Sequence, residues 1–361
     1  MPDRRLRAVI LELTRRCNLS CLHCGSACDN LVPDDELTFR QWADLIHDLS
    51  GMDVEKVAFS GGEATTSPHF EKLVRYTRDE GVRFGVITNG FNLSDEAVDL
   101  LRECKPFAVG VSVDGRAASH NRIRGHPESF IRAIDSLNRL NCAGISTAAI
   151  TALNSFNYRD LAELAPLLER LGVRAWQIQL AMPLGRMKEN DEWLLSRFQF
   201  AEVVRMIADL RLKHPLLNLS AADCFGFDSL GIAKSAEWKG CSAGMYTLGI
   251  KSNGDVLPCL SLYEERFVCG NVLDRPIEEI WHDPDNFGFN RRFSAGRVEA
   301  SSACLDCGKL NDCRGGCASM SYAYNGYFHD SPFCVDRSIR DIFRISWPTD
   351  KENEHGLETP A

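Results

Sequence analysis

The sequence predicts an α/β protein in which βα repeats build a parallel sheet and a smaller cysteine-rich domain follows. Three observations predict it. Apolar, β-branched segments alternate with helical patterns as far as about residue 182. A triplet of cysteines follows the first of those segments directly. From about Ala221 onward the chain turns to cysteine, glycine and asparagine, with short elements and few long apolar periods. The alternation alone fits a barrel or a doubly wound sheet equally.

The elements follow in order. The first strand is Arg7 to Thr14. After the cysteine loop, Thr38 opens a helix in which Phe39, Trp42, Leu45, Ile46 and Leu49 recur at a period of about 3.6. Lys56 to Ser60 is the second strand, Pro68 to Glu80 a helix, Val82 to Thr88 the third strand, and Ser94 the N-cap of the next helix. Phe107 to Val113 is the fourth strand. A helix over Ser129 to Cys142, a strand over Gly144 to Thr151, a helix over Tyr158 to Leu171 and a strand over Val173 to Leu180 complete six repeats. Trp193 to Lys213 reads as a long amphipathic helix leading away from them. The end, Thr349 to Ala361, is almost without apolar residues and is expected to be disordered.

A chain of 361 residues holds one large domain and a smaller one. Its 44% hydrophobic and 25% charged content suits a globular protein, and it lacks the run of about eighteen apolar residues that a membrane span needs. Ala8 to Leu13 is too short, and too interrupted by Glu12, for a signal-peptide core, so a cytoplasmic protein is expected. A formal net charge of −9 argues against a nucleic-acid partner, whose phosphates call for clustered Lys and Arg. Fifteen cysteines without a secretion signal point to metal ligation rather than to a disulfide framework.

Cys17, Cys21 and Cys24 are spaced C-x3-C-x2-C, directly beyond the first strand. Three thiolates on one short loop can hold three corners of a cubane iron–sulfur cluster and leave the fourth iron open for a ligand. Zinc is the competing use, but zinc sites pair C-x2-C with a second Cys or His pair nearby, which this loop lacks. Gly61, Gly62 and Glu63 follow the second strand, where glycines let the backbone turn sharply or approach a ligand.

Together these segments resemble the radical S-adenosylmethionine (radical SAM) enzymes. The resemblance implies a partial (β/α)6 TIM-type barrel, open on one side, and a 4Fe–4S cluster held by Cys17, Cys21 and Cys24. Its open iron would chelate the amino and carboxylate groups of S-adenosylmethionine, and electron transfer would cleave that molecule to a 5′-deoxyadenosyl radical. By the same resemblance Gly61, Gly62 and Glu63 meet the amino group, and Asn89, in the segment Ile87 to Gly90, lies near the ribose. Ser112 and Arg124 meet the methionine carboxylate, which an arginine's planar fork suits. A surface arginine on a loop is the plainer reading of Arg124, Asp114 reads as a turn residue, and His23 as a side chain packed by the cluster.

The later cysteines run Cys241, Gly254-x4-Cys259, Cys304-x2-Cys307-x5-Cys313-x3-Cys317 and Cys334. This order resembles the SPASM domain over about residues 238–335, which implies two auxiliary 4Fe–4S clusters. Carried over by position, Cys304, Cys307, Cys313 and Cys334 would bind the outer cluster, and Cys241, Cys259 and Cys317 the inner one. The fourth inner position is open to Cys224, Cys269, a non-cysteine ligand or none. Paired zinc-ribbon sites are the competing use of these cysteines. Cys104 and Cys142, at helix ends, read as small buried hydrophobes, while Cys28 fits either use.

The expected organisation is a core barrel over residues 1–190, a helical linker over 191–237, the auxiliary-cluster domain over 238–335, and a C-terminal helix and tail over 336–361. Relatives with this cysteine layout mostly act on peptides or proteins, so the resemblance implies a maturase that cross-links or oxidises a ribosomally made peptide. Only about seven residues precede the first strand, so either a separate peptide-recognition protein is a partner, or the substrate is short, or it is not a peptide; a flavodoxin or ferredoxin is the expected electron donor. Formylglycine formation is disfavoured, because Leu260 stands after Cys259 where such enzymes have an aspartate base, unless Asp255, Glu264 or Glu265 substitutes. The alternatives are a small-molecule or tetrapyrrole-modifying dehydrogenase, and a non-catalytic metal-binding interaction module.

Overall fold

The computed structural model describes residues 5–31, 35–233 and 238–343. Six βα repeats form its first part: β1 (Ala8–Glu12), α1 (Phe39–Gly51), β2 (Lys56–Ser60), α2 (Phe70–Asp79), β3 (Phe84–Thr88), α3 (Asp95–Cys104), β4 (Val109–Ser112), α4 (Ala117–Arg124), α5 (Ser129–Cys142), β5 (Thr147–Leu153), α6 (Leu161–Arg170) and β6 (Ala175–Leu180). Consecutive strands pair in parallel. The helix α4 was not expected; its polar residues and weak periodicity hide it between two loops.

The sheet does not stop at six strands. Helix α7 (Arg197–Lys213), which begins four residues after Trp193, leads to β7 (Asn218–Ala221), which pairs in parallel with β6. At the other edge β8 (Thr247–Ile250) pairs in parallel with β1, and β9 (Val256–Leu257) closes a hairpin on it. The strand order β7-β6-β5-β4-β3-β2-β1-β8-β9 is that of an open sheet with β7 and β9 at its edges. A segment read as linker thus adds β7 to the barrel sheet, and one read as auxiliary domain adds β8 and β9; β7 and β8 are the parallel additions. Both strands are short, and Ser or Gly interrupts their apolar pattern, so neither carries a periodicity long enough to read.

The core lies between the sheet and its covering helices. In β1, Val9 and Leu11 are buried on the helix side, while Ala8, Ile10 and Glu12 share the other face. Helix α1 buries Trp42, Leu45, Ile46 and Leu49 against them, each worth about 1.5–3 kcal/mol in removed apolar surface. Its start is fixed by Thr38, whose hydroxyl accepts from Gln41 N while the Gln41 side chain accepts from Thr38 N. Beyond β9 the chain forms short helices, α8 (Ile277–His282), α9 (Gly288–Arg291), α10 (Leu310–Cys313), α11 (Ala318–Asn325) and α12 (Val335–Phe343). The tail from Thr349 lies outside the described residues. No helix among the described residues is long and apolar enough to cross a membrane.

Candidate functional site

The chemistry-bearing residues gather at the carboxyl ends of the strands, where an α/β barrel concentrates its loops. The cysteine loop leaves β1 and is held by its neighbours' backbones. Gly62 N donates to Thr14 O at 2.7 Å and Glu63 N to Arg16 O at 2.9 Å. A Cβ on Gly61 would stand 2.5 Å from Thr14 O, and one on Gly62 2.4 Å from Arg16 O. Both positions therefore need glycine for close approach to the cysteine loop.

Arg186, in the turn after β6, holds the loop from the opposite side. Its Nε donates to Cys21 O and its Nη2 to Cys28 O, both at 2.8 Å. Sequence reasoning missed this residue, which lies 165 positions from Cys21 and belongs to no motif of its own.

Cys17, Cys21 and Cys28 are buried in one cluster with Leu19, and Cys24 and Phe91 pack against it. Burial pushes the Cys17 thiol up to about 12 and the Cys21 thiol upward as well. Cys24 is lowered to about 5 by a hydrogen bond from Cys28, whose own thiol is raised in return. Cys28, which the sequence left between two uses, is thus part of the sulfur cluster. Apolar burial keeps Cys17 and Cys21 protonated until a cation balances their thiolates, so the pocket suits a soft metal centre. N–H donors face two of the sulfurs: Asn89 Nδ2 at 3.9 Å from Cys17 and Arg124 Nη1 at 3.8 Å from Cys21. Hydrogen bonds of this kind to sulfur tune a cluster's potential.

Glu63 is buried at the end of β2, where its carboxylate accepts from the Thr65 and Thr88 hydroxyls at 2.7 and 2.8 Å and from Asn89 N at 2.7 Å. Asn89 in turn bridges to Asn18 at 2.8 Å. Ser112 is half-buried at the last position of β4. The structure brings Gly61, Gly62, Glu63, Asn89 and Arg124 into contact with the cysteine loop or with one another.

Arg124 corrects the plainer reading of a surface residue. It ends α4 and is buried, with Nε donating to Asp114 Oδ2 at 2.6 Å. Asp114 is no mere turn residue either. It is fully buried, accepts from Ala152 N at 3.0 Å, and faces His23 Nε2 at 3.3 Å. Burial opposes its charge, but Arg124 and His23 outweigh that and hold its carboxyl far below the usual range. His23 therefore makes a polar contact as well as packing, and its buried Nδ1 has no partner among the described residues.

Glu12 was legible only as a break in an apolar strand. It is 1% exposed, and accepts from the Tyr263 hydroxyl at 2.8 Å and from Ser252 N at 3.4 Å. Burial raises its carboxyl to about 7, against the lowering effect of those hydrogen bonds. The Arg15 guanidinium lies 5.7 Å from the Tyr263 ring. Arg15, Gly25, Tyr263, Phe267 and Tyr322 border a cleft between the cysteine loop and the C-terminal part.

Among the later cysteines, Cys304, Cys307, Cys313 and Cys334 line one pocket with Gly226, Gly316 and Phe333. Cys241 and Cys259 share an apolar cluster with Ala318, beside Cys317 at the start of α11. Cys317 Sγ lies 3.2 Å from Ser319 Oγ, and Cys259 Sγ accepts from Ser261 N at 3.4 Å. Burial raises Cys304 and Cys317 to about 11. The two groups so formed are one of four sulfurs and one of three, and both donor sets fit iron–sulfur clusters. Among the described residues no three Cys, His, Asp or Glu side chains converge on a single metal ion. Cubane thiolates sit on separate irons and need not converge in that way.

Other cysteines lie elsewhere. Cys104 is buried in the core, but Cys142 is exposed, contrary to expectation, because the last turn of α5 faces solvent there. Of the alternative carboxylates, Asp255 pairs with Lys251 at 2.8 Å, Glu264 pairs with Arg266, and Glu265 is exposed.

Residues 11–168 match the radical SAM superfamily, and residues 241–308 match the iron–sulfur cluster-binding SPASM domain. The chain is 32% identical over 324 residues to mycofactocin maturase MftC of Mycobacterium ulcerans, covering 89% of this chain and 85% of that one. It is 29% identical over 348 residues to the AdoMet-dependent heme synthase of Methanosarcina barkeri, covering 92% and 97%. In fold it is similar to Streptococcus suis SuiB bound to S-adenosylmethionine, with a TM-score of 0.73 at 18% identity, covering 91% of this chain and 77% of that one. It is also similar to anSMEcpe with bound AdoMet, with a TM-score of 0.74 at 18% identity, covering 93% and 96%. The chain belongs to the radical SAM superfamily, as a member with a C-terminal SPASM domain, and is an enzyme that uses a 4Fe–4S cluster, auxiliary clusters and S-adenosylmethionine.

Proposed function

We propose that this radical SAM enzyme removes a hydrogen atom from a side chain or Cα of a peptide or protein, leading to a cross-link or an oxidised residue. The observation that carries the reading is the convergence of the C-x3-C-x2-C loop with Gly61, Gly62, Glu63, Asn89 and Arg124 at one end of the sheet. When bound, the cluster of Cys17, Cys21 and Cys24 supplies the electron that splits S-adenosylmethionine into methionine and the 5′-deoxyadenosyl radical.

The residues then have separate tasks. Gly61 and Gly62 keep the β2 turn close enough to the cysteine loop to offer its backbone to the amino group. Glu63, fixed by Thr65, Thr88 and Asn89, supplies negative charge beside it. Arg124 is clamped by Asp114 through Nε and presents its Nη1 edge beside Cys21, where the methionine carboxylate would sit with Ser112. Asn89, held between Cys17 and Asn18, would meet the ribose. In the C-terminal part Cys304, Cys307, Cys313 and Cys334 hold one auxiliary cluster, and Cys241, Cys259 and Cys317 hold the other. Clusters held there would offer electrons a route to or from the substrate radical.

The peptide reading is supported by the maturase relative at 32% identity and by the cleft bordered by Arg15, Tyr263, Phe267 and Tyr322. Solved relatives of the same fold include SuiB bound to its precursor peptide. A separate peptide-recognition protein and a flavodoxin or ferredoxin complete the proposed system. A second reading, tetrapyrrole side-chain chemistry, is favoured by the heme synthase relative, whose length this chain matches over 97%.

The test is turnover by anaerobically reconstituted, reduced protein with deuterated candidate substrates. Deuterium carried from a peptide into 5′-deoxyadenosine is the expected result. Deuterium carried instead from the propionate arms of an iron coproporphyrin would replace the peptide reading with the second. Absence of any 5′-deoxyadenosine from protein with its full iron content would defeat both.

A further inference from the structure

The cleft between the cysteine loop and the C-terminal part has a volume of about 330 Å³. Gly25, Ser26 and Ala27, which follow Cys24 directly, line one part of it, and Ser261, Leu262 and Tyr263, which begin two positions after Cys259, line another. A molecule held there borders both the N-terminal cysteine loop and the inner C-terminal group. Tyr263, Phe267 and Tyr322 give the cleft an aromatic surface, with Phe267 and Tyr322 meeting edge to face at 4.8 Å.

Two cations border this surface without a carboxylate of their own. Arg15 forms no ion pair among the described residues. Its Nε is buried without a hydrogen-bond partner, and its Nη2 reaches only Ser26 O, at 3.4 Å. The Cys28 thiol and the Tyr263 ring are its other neighbours. The buried Glu12 carboxyl acts on Arg15 through space, but its hydrogen bond goes to the Tyr263 hydroxyl, at 2.8 Å. Lys188, exposed on the turn after β6, also has no ion pair among the described residues. Glu264, the acidic residue at the rim, is taken by Arg266. We propose that Arg15, assisted by Lys188, binds a carboxylate of the substrate in this cleft while the apolar part of the substrate lies on the aromatic surface. The inference rests on the substrate-modifying reading above and narrows the substrate to an acid.

A half-buried guanidinium without a counterion is costly, and a carboxylate answers it best, because its two oxygens match two parallel N–H donors. The Tyr263 ring, fixed by its bond to Glu12, stands 5.7 Å from the guanidinium and restricts where that fork can point. Lys251 lies 5.0 Å from the same ring, but it is paired with Asp255 and is not available to a ligand. A cationic or neutral substrate would leave Arg15 as it stands. In a chain of net charge −9, two unpaired cations beside one cleft also draw an anion toward it. A peptide acid and a propionate-bearing tetrapyrrole both present this chemistry.

The test titrates the whole reconstituted enzyme, with S-adenosylmethionine bound, by calorimetry. The probes are two acids and their neutral forms: N-acetylphenylalanylphenylalanine with its C-terminal amide, and iron coproporphyrin III with its tetraamide. Wild type is expected to bind at least one acid about tenfold more tightly than its neutral form, the worth of one charge-assisted hydrogen bond. Arg15→Gln is expected to bind both forms alike, and Arg15→Lys to keep part of the difference. No acid preference in wild type, or an undiminished one in iron-replete Arg15→Gln, overturns the proposal. If Arg15→Gln does not retain its iron, Lys188→Gln decides: a smaller acid preference supports the proposal, and an unchanged one overturns it. Preference for the porphyrin acid alone keeps the carboxylate site and replaces the peptide reading. Failure of wild type to form any 5′-deoxyadenosine would instead defeat the radical reading, a different failure.

Discussion

Glu12 illustrates what one buried group contributes. Its carboxyl, raised by burial to about 7, is protonated in the folded protein where the unfolded chain would already have released the proton. Between the ordinary carboxylate range and pH 7 the native state therefore binds more protons. The stabilisation from this group is complete below the unfolded pKa and is lost as pH rises through the folded one. The shift corresponds to about 3 kcal/mol. Glu12→Gln, which keeps an acceptor for the Tyr263 hydroxyl, is expected to flatten the fall in unfolding free energy between pH 5 and pH 8, measured by urea titration at each pH. An equal fall in both proteins would assign the effect elsewhere. Nothing local in the sequence could have foretold this, because Tyr263 is 251 positions away.

At the scale of elements, most boundaries were written in local chemistry. Lys56 to Ser60 and Ser129 to Cys142 begin and end where alternation and the helical period place them, and Thr38 and Ser94 each cap a helix through a side-chain oxygen, whereas α7 starts at its Ser196 cap and not at Trp193. Thr38→Ala removes a capping box from α1 and is expected to cost about 1 kcal/mol. That would appear as a lower urea midpoint with an unchanged slope, and an unchanged midpoint would mean that packing of Trp42, Leu45 and Ile46 alone sets the helix start. The elements that escaped notice, α4, β7 and β8, are short and take their stability from the neighbours they pair with or pack against.

The whole molecule joins its sulfur sites through one sheet. Because β8 pairs with β1, the strand that leads into the cysteine loop is hydrogen-bonded to the strand that precedes Cys259. Tyr263 on Glu12 fastens the same two regions again. The N-terminal and C-terminal cysteine groups are thereby held on a common scaffold. Cys21→Ala is expected to abolish 5′-deoxyadenosine formation, whereas Cys307→Ala, at the outer pocket, is expected to retain uncoupled cleavage. Chromatographic quantitation of 5′-deoxyadenosine checks both, and equal total loss in folded, iron-bearing proteins would count against separate roles.

By itself the sequence determined the alternating elements, the helix caps, and the spacing that gathers three cysteines on one loop, since each depends on residues within a turn or a strand of one another. Only the tertiary structure decided that Arg124 and Asp114 form a buried pair, that Arg186 holds the cysteine loop, and that Tyr263 meets Glu12. Those choices turn on which face of a short strand or turn meets a partner far away in the chain. Orientation of that kind is set by sheet register and packing, and leaves no period in the sequence to read.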